Sequence, residues 1–421
     1  MSSVSSVFST LRTTFKSWVE LSAYLRSSEG GSLRVEEASS SENPFALIRY
    51  TKGVSDLTKE HVRAFRSVVW DTIENRPVSV TPFKSEDGES LPQTPSTDGF
   101  VVERFVDGVM IGAFYDKYSD TWRVHTRSTL DARSRYYSQT KTFRELFDDS
   151  FPREKWSTLN KTSSYTFILQ HPENRIVSHV VEPRSTLVQE TTIQTDGTVG
   201  FLAQSSLVVN SPMATWNDVR MRLNEFNTQF KHNFQGFVVK DTTGKRWKIR
   251  TQEYNRVRKM RGNTARRDYM WLSMWSNGTL ADYLRLFPEE RNLSDNVISR
   301  WKRATSDIYH LYTDVFKART LDRKQIPPKY RPLVYDLHTH YRTVLKPASK
   351  TMDWKTTVLF MNDRDIAQML YVINWETRMA MRQFGTKGIA LEPPASAVGT
   401  VVETDSDMPD LVPIGPSDVV N

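Results

Sequence analysis

The alternation of apolar and polar positions changes character along the chain. Phe8, Leu11, Phe15, Trp18, Val19 and Leu25 fall near one face at helical spacing, with Ser22 interrupting the stripe, which predicts one amphipathic docking helix. The Ser/Gly/Glu-rich stretch 27–41 reads as a mobile connection. Segments 45–50 and 67–70 read as strands around a helical turn at 56–61, and 82–99, dense in Pro, Gly and Ser, reads as a loop. From 100 to 255, alternation dominates, and strands are predicted at 100–105, 109–114, 121–125, 165–169, 175–181, 191–195, 234–240 and 247–250. A turn at 241–244 would join the last two as a hairpin. Helical patterns interrupt this run at 143–151 and 211–230.

Beyond residue 255, helical periodicity takes over, with candidate helices at 269–286, 294–317, 329–345 and 364–382, punctuated by Pro327, Pro328, Pro332 and Pro347. Strands that do not alternate with helices as βαβ units predict an antiparallel-rich α+β domain. The chain therefore divides into an N-terminal helix and linker (1–42), an α+β domain (43–255), an all-helical domain (256–390) and a tail (391–421). The tail has five prolines, six acids, no Lys or Arg and no aromatic residue, a composition expected to stay disordered.

Composition narrows the chemistry. A chain of 421 residues with 38% hydrophobic content can bury a sizeable core. Cysteine is absent, which excludes disulfides, thiolate metal sites and thiol nucleophiles. The eight histidines are scattered without zinc spacing. No apolar run approaches the roughly 18 residues that span a bilayer, and the N-terminus lacks the pattern of a secretory signal. No membrane insertion and no secretion through a signal peptide are expected; the sequence leaves the location open, cytoplasmic or virion-associated if the source is viral.

The formal charge of +8 conceals an asymmetry. All 57 basic side chains precede residue 391, against 43 of the 49 acids, an excess of 14. A body that positive favours a polyanionic partner. Its densest part is 245–267, where Lys245, Arg246, Lys248, Arg250, Arg256, Arg258, Lys259, Arg261, Arg266 and Arg267 meet one acid, Glu253. Lys245, Arg246, Arg256, Arg258, Lys259, Arg261, Arg266 and Arg267 are candidate nucleic-acid-binding residues. A site for an acidic protein segment and a solvated face are the competing readings.

Several short blocks then follow one another in order: Arg66-Ser-Val-Val-Trp-Asp, Arg76-Pro-Val, Pro82-Phe-Lys, Glu103-Arg-Phe-Val-Asp-Gly108 and Val124-His-Thr-Arg-Ser-Thr129. After them come Tyr165-Thr-Phe-Ile-Leu-Gln-His-Pro-Glu-Asn-Arg-Ile-Val177, Phe234-Gln-Gly-Phe-Val-Val-Lys240 and Trp247-Lys-Ile-Arg250. Together, over about 43–255, they resemble the phage-type (T4-like) ATP-dependent RNA ligases of the covalent nucleotidyltransferase superfamily. The resemblance implies an adenylyltransferase (ATP-grasp-like nucleotidyltransferase) domain followed by a helical domain. It also implies a source among phages and large DNA viruses, with other proteins of a viral assembly as further partners.

In that family a lysine in Lys-x-Asp-Gly attacks the nucleotide's α-phosphate, and carboxylates hold a divalent metal. Here the lysine position is Phe105, which cannot form a phosphoramidate. The glutamate of the third block falls on Ile168, and the one opening Glu-Gly-x-Val-Val is Gln235. The final Lys-x-Lys pair is Lys248 and Arg250, whose guanidinium fork is not a geometric substitute for an ammonium. Asp107, Arg127, Asn174, Arg175, Lys248 and Arg250 are the nucleotide-pocket candidates, and Asp107, Arg127, Asn174, Lys248 and Arg250 are expected around one cleft. Each has a structural reading: a strand-end turn for Asp107-Gly108, and sheet support for Asn174 and Arg175.

Lys84, in Lys84-Ser-Glu-Asp-Gly88, is the rival nucleophile, but one residue too many separates it from Asp-Gly. Arg104 and Lys117 are weaker still. The expected function is therefore a catalytically inactive, ligase-like protein that binds nucleic acid, most readily RNA, without a cofactor. ATP with Mg2+ is the cofactor if nucleotide binding survives. The alternatives are an active RNA-repair ligase with a displaced nucleophile, a scaffold built on the ligase fold, and a nucleotide sensor.

Overall fold

A computed structural model describes residues 2–38, 43–90, 100–137, 140–202, 205–209, 215–241, 245–264 and 266–385. Residues 242–244 of the hairpin turn expected at 241–244, most of the Pro-rich loop and the acidic tail lie outside these residues. Two compact units emerge, Met1–Asn263 and Thr264–Ala397. The first is α+β with antiparallel sheets; the second is helical among its described residues.

Three sheets build the first unit. The largest has six strands in the spatial order Ser2–Ser5, Val199–Leu202, Arg184–Ile193, Ser163–Gln170, Val109–Asp116 and Thr121–His125. A second has four, Glu86–Asp87, Arg246–Arg250, Gly236–Asp241 and Phe100–Arg104. The third joins Arg34–Glu37, Phe45–Arg49, Val68–Asp71 and Arg76–Val80. All pairings are antiparallel except that of Glu86–Asp87 with Arg246–Arg250. Phe100–Arg104 and Val109–Asp116 are consecutive yet belong to different sheets, so residues 105–108 carry the chain from one sheet to the other.

Local chemistry departs from the sequence expectation in several places. The single N-terminal helix is two, Val7–Thr14 and Trp18–Arg26. Ser17 stops the first from running on: its hydroxyl accepts the Glu20 N–H while Glu20 accepts the Ser17 N–H, a capping box that begins a new helix. Phe8, Leu21 and Leu25 pack with Val62, Phe65 and Trp70, while Val19 is exposed. The stretch expected to be mobile contains Arg34–Glu37, paired with Phe45–Arg49. No strand forms at 175–181; the N–H groups of Val177 and Ser178 go to a carboxylate, that of Asp107, instead of a neighbouring strand. The strand expected at 191–195 overlaps only the end of a longer, ten-residue strand, Arg184–Ile193.

In the second unit, Arg267–Ser276, Leu280–Leu286, Arg291–Tyr312, Arg331–His340, Ile366–Ile373 and Trp375–Gly385 fall within or beside the expected helical segments. Trp354–Asn362, capped by Asp353, was not expected. A buried polar cluster in the second unit centres on Glu290, which accepts from Trp271 Nε1 at 2.9 Å and Tyr283 OH at 2.8 Å and pairs with Arg267. The helix Gln252–Arg261, which the sequence pattern did not predict, lies within the first unit.

His125 closes the strand Thr121–His125 with no exposed surface. It lies 2.8 Å from Ser79 Oγ, 3.3 Å from Ser67 Oγ and 2.9 Å from the Thr126 carbonyl. Burial pushes its imidazole down to about 4. The unfolded chain therefore binds more protons than the folded one between about pH 4 and 6.5, and stability contributed by the neutral ring is lost as pH falls through that window. Wild-type protein should lose about 3 kcal/mol more than His125→Gln between pH 7 and pH 4, measured by urea unfolding. Parallel pH profiles for the two proteins would contradict this.

Candidate functional site

The crossover at 105–108 forms one wall of a cleft in the first unit, and its geometry is held by backbone constraints. The Phe105 N–H donates to the Gly236 carbonyl at 2.9 Å, fixing the crossover's start to the neighbouring strand. Gly108 has φ +154°, and a Cβ there would stand 2.4 Å from the Leu169 carbonyl oxygen. Gly236, at φ +146°, would place a Cβ 1.9 Å from the Ile249 oxygen. Only glycine fits either position.

Asp107 is the anchor. Its Oδ2 accepts the N–H groups of Val177 (3.1 Å) and Ser178 (2.8 Å), and its Oδ1 accepts the Tyr254 hydroxyl at 2.5 Å. Tyr254 is fully buried, and burial followed by the Asp107 charge drives its phenol well above the ordinary range, so it stays a donor. Arg258 in turn donates to the Tyr254 oxygen at 3.1 Å. The carboxylate thus ties the crossover to the 177–178 loop and to the helix Gln252–Arg261.

Phe105 is half-buried, and its ring is flanked by cations. Lys248 Nζ stands 5.4 Å and the Arg250 guanidinium 5.2 Å from the ring centroid, each contact worth about 0.5–1 kcal/mol at a partly exposed site. Ile168 and Gln235 line the same cleft. Asp107 and Arg127 line it as expected, and Lys248 and Arg250 reach it through Phe105.

Asn174 and Arg175 are turned to structural use. The Asn174 Oδ1 accepts the Tyr137 N–H at 3.2 Å, and Arg175 donates from Nε and Nη2 to the Val177 carbonyl at 3.1 and 3.0 Å. They hold the loop that binds Asp107 and are not among the residues lining the cleft. Arg127 also spends its donors on backbone, reaching the Arg66 and Tyr50 carbonyls at 3.2 Å each, with the Tyr50 ring 4.7 Å from its guanidinium.

Five arginines line the cleft, Arg66, Arg104, Arg127, Arg246 and Arg258, and no lysine does so among the described residues. Its two carboxylates are already committed, Asp107 as above and Glu103 to Lys240, whose Nζ is 2.7 Å from Oε2. The sequence reasoning missed Arg66 as a cleft residue and read Arg246 and Arg258 as outward-facing. Period-two alternation could have found Arg246, which shares a face with Lys248 and Arg250.

The basic stretch 245–267 does not form one exposed face. Lys245, Arg256, Lys259 and Arg266 are exposed, whereas Arg246 and Arg258 turn to the cleft. Arg261 is buried, donating to the Arg175 carbonyl at 2.9 Å with the Tyr137 ring 4.4 Å away. Arg267 is buried with Glu290 in the second unit. Neither Arg261 nor Arg267 can contact a nucleic acid from its buried position. Lys84 also fails as a cleft group: its Nζ lies 3.6 Å from Glu86 Oε2, and it does not line the cleft. Lys117 pairs with Glu74.

The residues present do not fit a divalent metal. The cleft's carboxylates are consumed by Tyr254, backbone amides and Lys240, and no group of three His, Asp or Glu that could hold an ion exists among the described residues.

No protein-family model matches the sequence, and no curated protein matches it. Among solved structures, the chain is similar to a protein of Aquifex aeolicus assigned provisionally as an ATP-dependent DNA ligase, at 15% identity and TM-score 0.35, over 84% of this chain and 77% of that one. It is also similar to two forms of an archaeal ATP-dependent RNA ligase. One is at 11% identity and TM-score 0.40, over 69% of this chain and 73% of that one; the other is at 12% and 0.38, over 69% and 72%. These structural neighbours are ligases, at a distance that assigns neither family nor activity.

Asp107→Asn should destabilise the protein by about 2–4 kcal/mol in urea unfolding, because it weakens charge-assisted bonds to buried donors that have no other acceptor in place. A residue serving mainly as a ligand contact would leave stability unchanged or raise it on substitution.

Proposed function

We propose that this chain is a ligase-like protein that has kept its cleft for binding and does not form a covalent nucleotide adduct, and that its ligand is nucleic acid, most readily RNA. The observation that carries this reading is the cleft lining, which among the described residues has five arginines, two committed carboxylates and no lysine. Arginine stays protonated at any working pH and so is a poor nucleophile, while it is well suited to hold phosphate. Phe105 stands where the resembled motif has its lysine, and the two cations of the final block pack on its ring. Adenylyl transfer would need an amine, a metal and carboxylates to hold it, and these residues favour none of the three.

A displaced nucleophile finds no support in the cleft, since Lys84 is held by Glu86 away from it. A scaffold role would not call for a cleft so rich in buried positive charge. For binding, exposed Lys245, Arg256 and Lys259 extend the positive field outside the cleft. Contacts of this kind go to phosphate and carry little sequence information.

Binding of single-stranded RNA should therefore weaken steeply with salt and vary little with base sequence. Joint replacement of Lys245, Arg256 and Lys259 by alanine should lower the slope of log K against log salt by about 2, at roughly 0.7 per phosphate contact. Deleting residues 391–421, with their six acids, should tighten binding by removing competing negative charge. Failure of the intact and tail-deleted proteins to bind RNA or duplex DNA at low salt would rule the reading out.

A further inference from the structure

The second unit carries a charged surface that neither its own packing nor the cleft accounts for. Residues 317–355 contain ten Lys and Arg against three acids. Nine of the ten are exposed, and among the described residues only the tenth, Lys329, is in an ion pair, with Glu376. Two of the acids are helix caps: Asp322 accepts the Lys324 N–H at 2.7 Å, and Asp353 accepts the Thr356 N–H at 2.8 Å. Exposed charge of one sign at this density makes a field that a polyanion satisfies.

Aromatic rings are interleaved with these cations. The helix Arg291–Tyr312 runs into a π-helical turn, Thr313–Ala318, which carries Phe316 and Lys317; such turns are common at functional sites. His338, from the helix Arg331–His340, stacks on Phe316 with centroids 3.8 Å apart and planes 9° from parallel. Tyr335 meets the Phe316 ring edge-on at 6.2 Å, and the Arg323 guanidinium stands 5.3 Å from its centroid. Burial, then the Arg342 and Arg323 charges, lowers the His338 imidazole, so both arginines lie close to the stack. Lys317 stands 5.9 Å from the Tyr309 ring, which meets Trp354 edge-on at 5.5 Å. The two outer rings, Tyr335 and Trp354, are 38% and 46% exposed.

We infer that this face of the second unit is a docking surface for single-stranded nucleic acid, whose phosphates meet the exposed cations while unpaired bases stack on Tyr335 and Trp354. It lies in a different unit from the cleft and does not depend on the reading given to the cleft. Charge complementarity selects a polyanion, and exposed rings among the cations select bases over carboxylates, since an acidic peptide would use the charge and leave the rings idle. Every base has a π-face, so such a surface tolerates any sequence. In a duplex the faces of the bases are already stacked on one another, which makes a single strand the better occupant.

The test is a fluorescence-anisotropy titration of the full chain with a labelled oligouridylate. The variants are Tyr335→Ala/Trp354→Ala, the ring-keeping Tyr335→Phe/Trp354→Phe, and Arg323→Gln/Arg342→Gln/Lys355→Gln, all at exposed positions. Removing both rings should weaken binding at least about tenfold, whereas the phenylalanine variant should bind as wild type does. The charge variant should lower the slope of log K against log salt by about 2, at roughly 0.7 per phosphate contact. A duplex of the same length should bind with an affinity that the loss of the rings leaves unchanged.

No binding of the oligonucleotide, equal binding by the alanine variant, loss of binding by the phenylalanine variant, or duplex binding weakened as much as single-strand binding would each overturn the inference. So would displacement of the strand by polyglutamate at equal charge concentration, which identifies an acidic protein segment as the occupant. Binding lost in Lys245→Ala/Arg256→Ala/Lys259→Ala but kept in the second-unit variants sinks this surface and leaves the cleft reading standing. The opposite result does the reverse.

Discussion

The Asp107 carboxylate takes three hydrogen bonds at the point where the chain leaves one sheet and enters another, and most of the candidate site depends on it. Two backbone N–H groups and the Tyr254 hydroxyl converge on it. Through them the crossover is fixed to the 177–178 loop, which Arg175 buttresses, and to the helix that carries Arg258. Gly108 and Gly236 permit the close approach this demands, each at a φ that a side chain would strain and with backbone where a Cβ would stand. With the crossover locked, Phe105 has its ring under Lys248 and Arg250, and the arginines of neighbouring elements face the same space.

The same bonds give these residues structural roles of their own. Asp107 and Asn174 each have enough structural work, measured in buried donors and acceptors, to hold their places with no nucleotide present. Phe105 converts two cations into ring contacts that need no phosphate.

Much of the α+β unit was legible in the sequence because half-buried strands impose period-two alternation. Val109–Asp116, Thr121–His125 and Gly236–Asp241 lie close to where that pattern puts them. The failures have a common cause: hydrogen bonds and buried contacts, local or tertiary, overriding the apolar pattern. Residues 175–181 look like a strand, yet Asp107 takes their N–H groups. The N-terminal stripe looks like one helix, yet the Ser17 capping box cuts it. The cations of 245–267 look like one face by count, yet helical geometry and buried partners send Arg261 inward, and Arg267 pairs within the other unit. That Asp107, Ile168 and Gln235 share a cleft was readable from the block order, whereas the place of Arg66 beside Arg246 was not, since 180 residues separate the two in sequence.

The central claim is that the cleft binds without reacting, and covalent labelling addresses it most directly. The full chain is incubated with radiolabelled ATP or GTP and Mg2+ or Mn2+, then denatured and resolved by electrophoresis. The account predicts no label on the protein at any metal concentration. A label that survives denaturation would contradict it, and its location, Lys84, Lys248 or elsewhere, would identify the nucleophile that the cleft geometry does not provide.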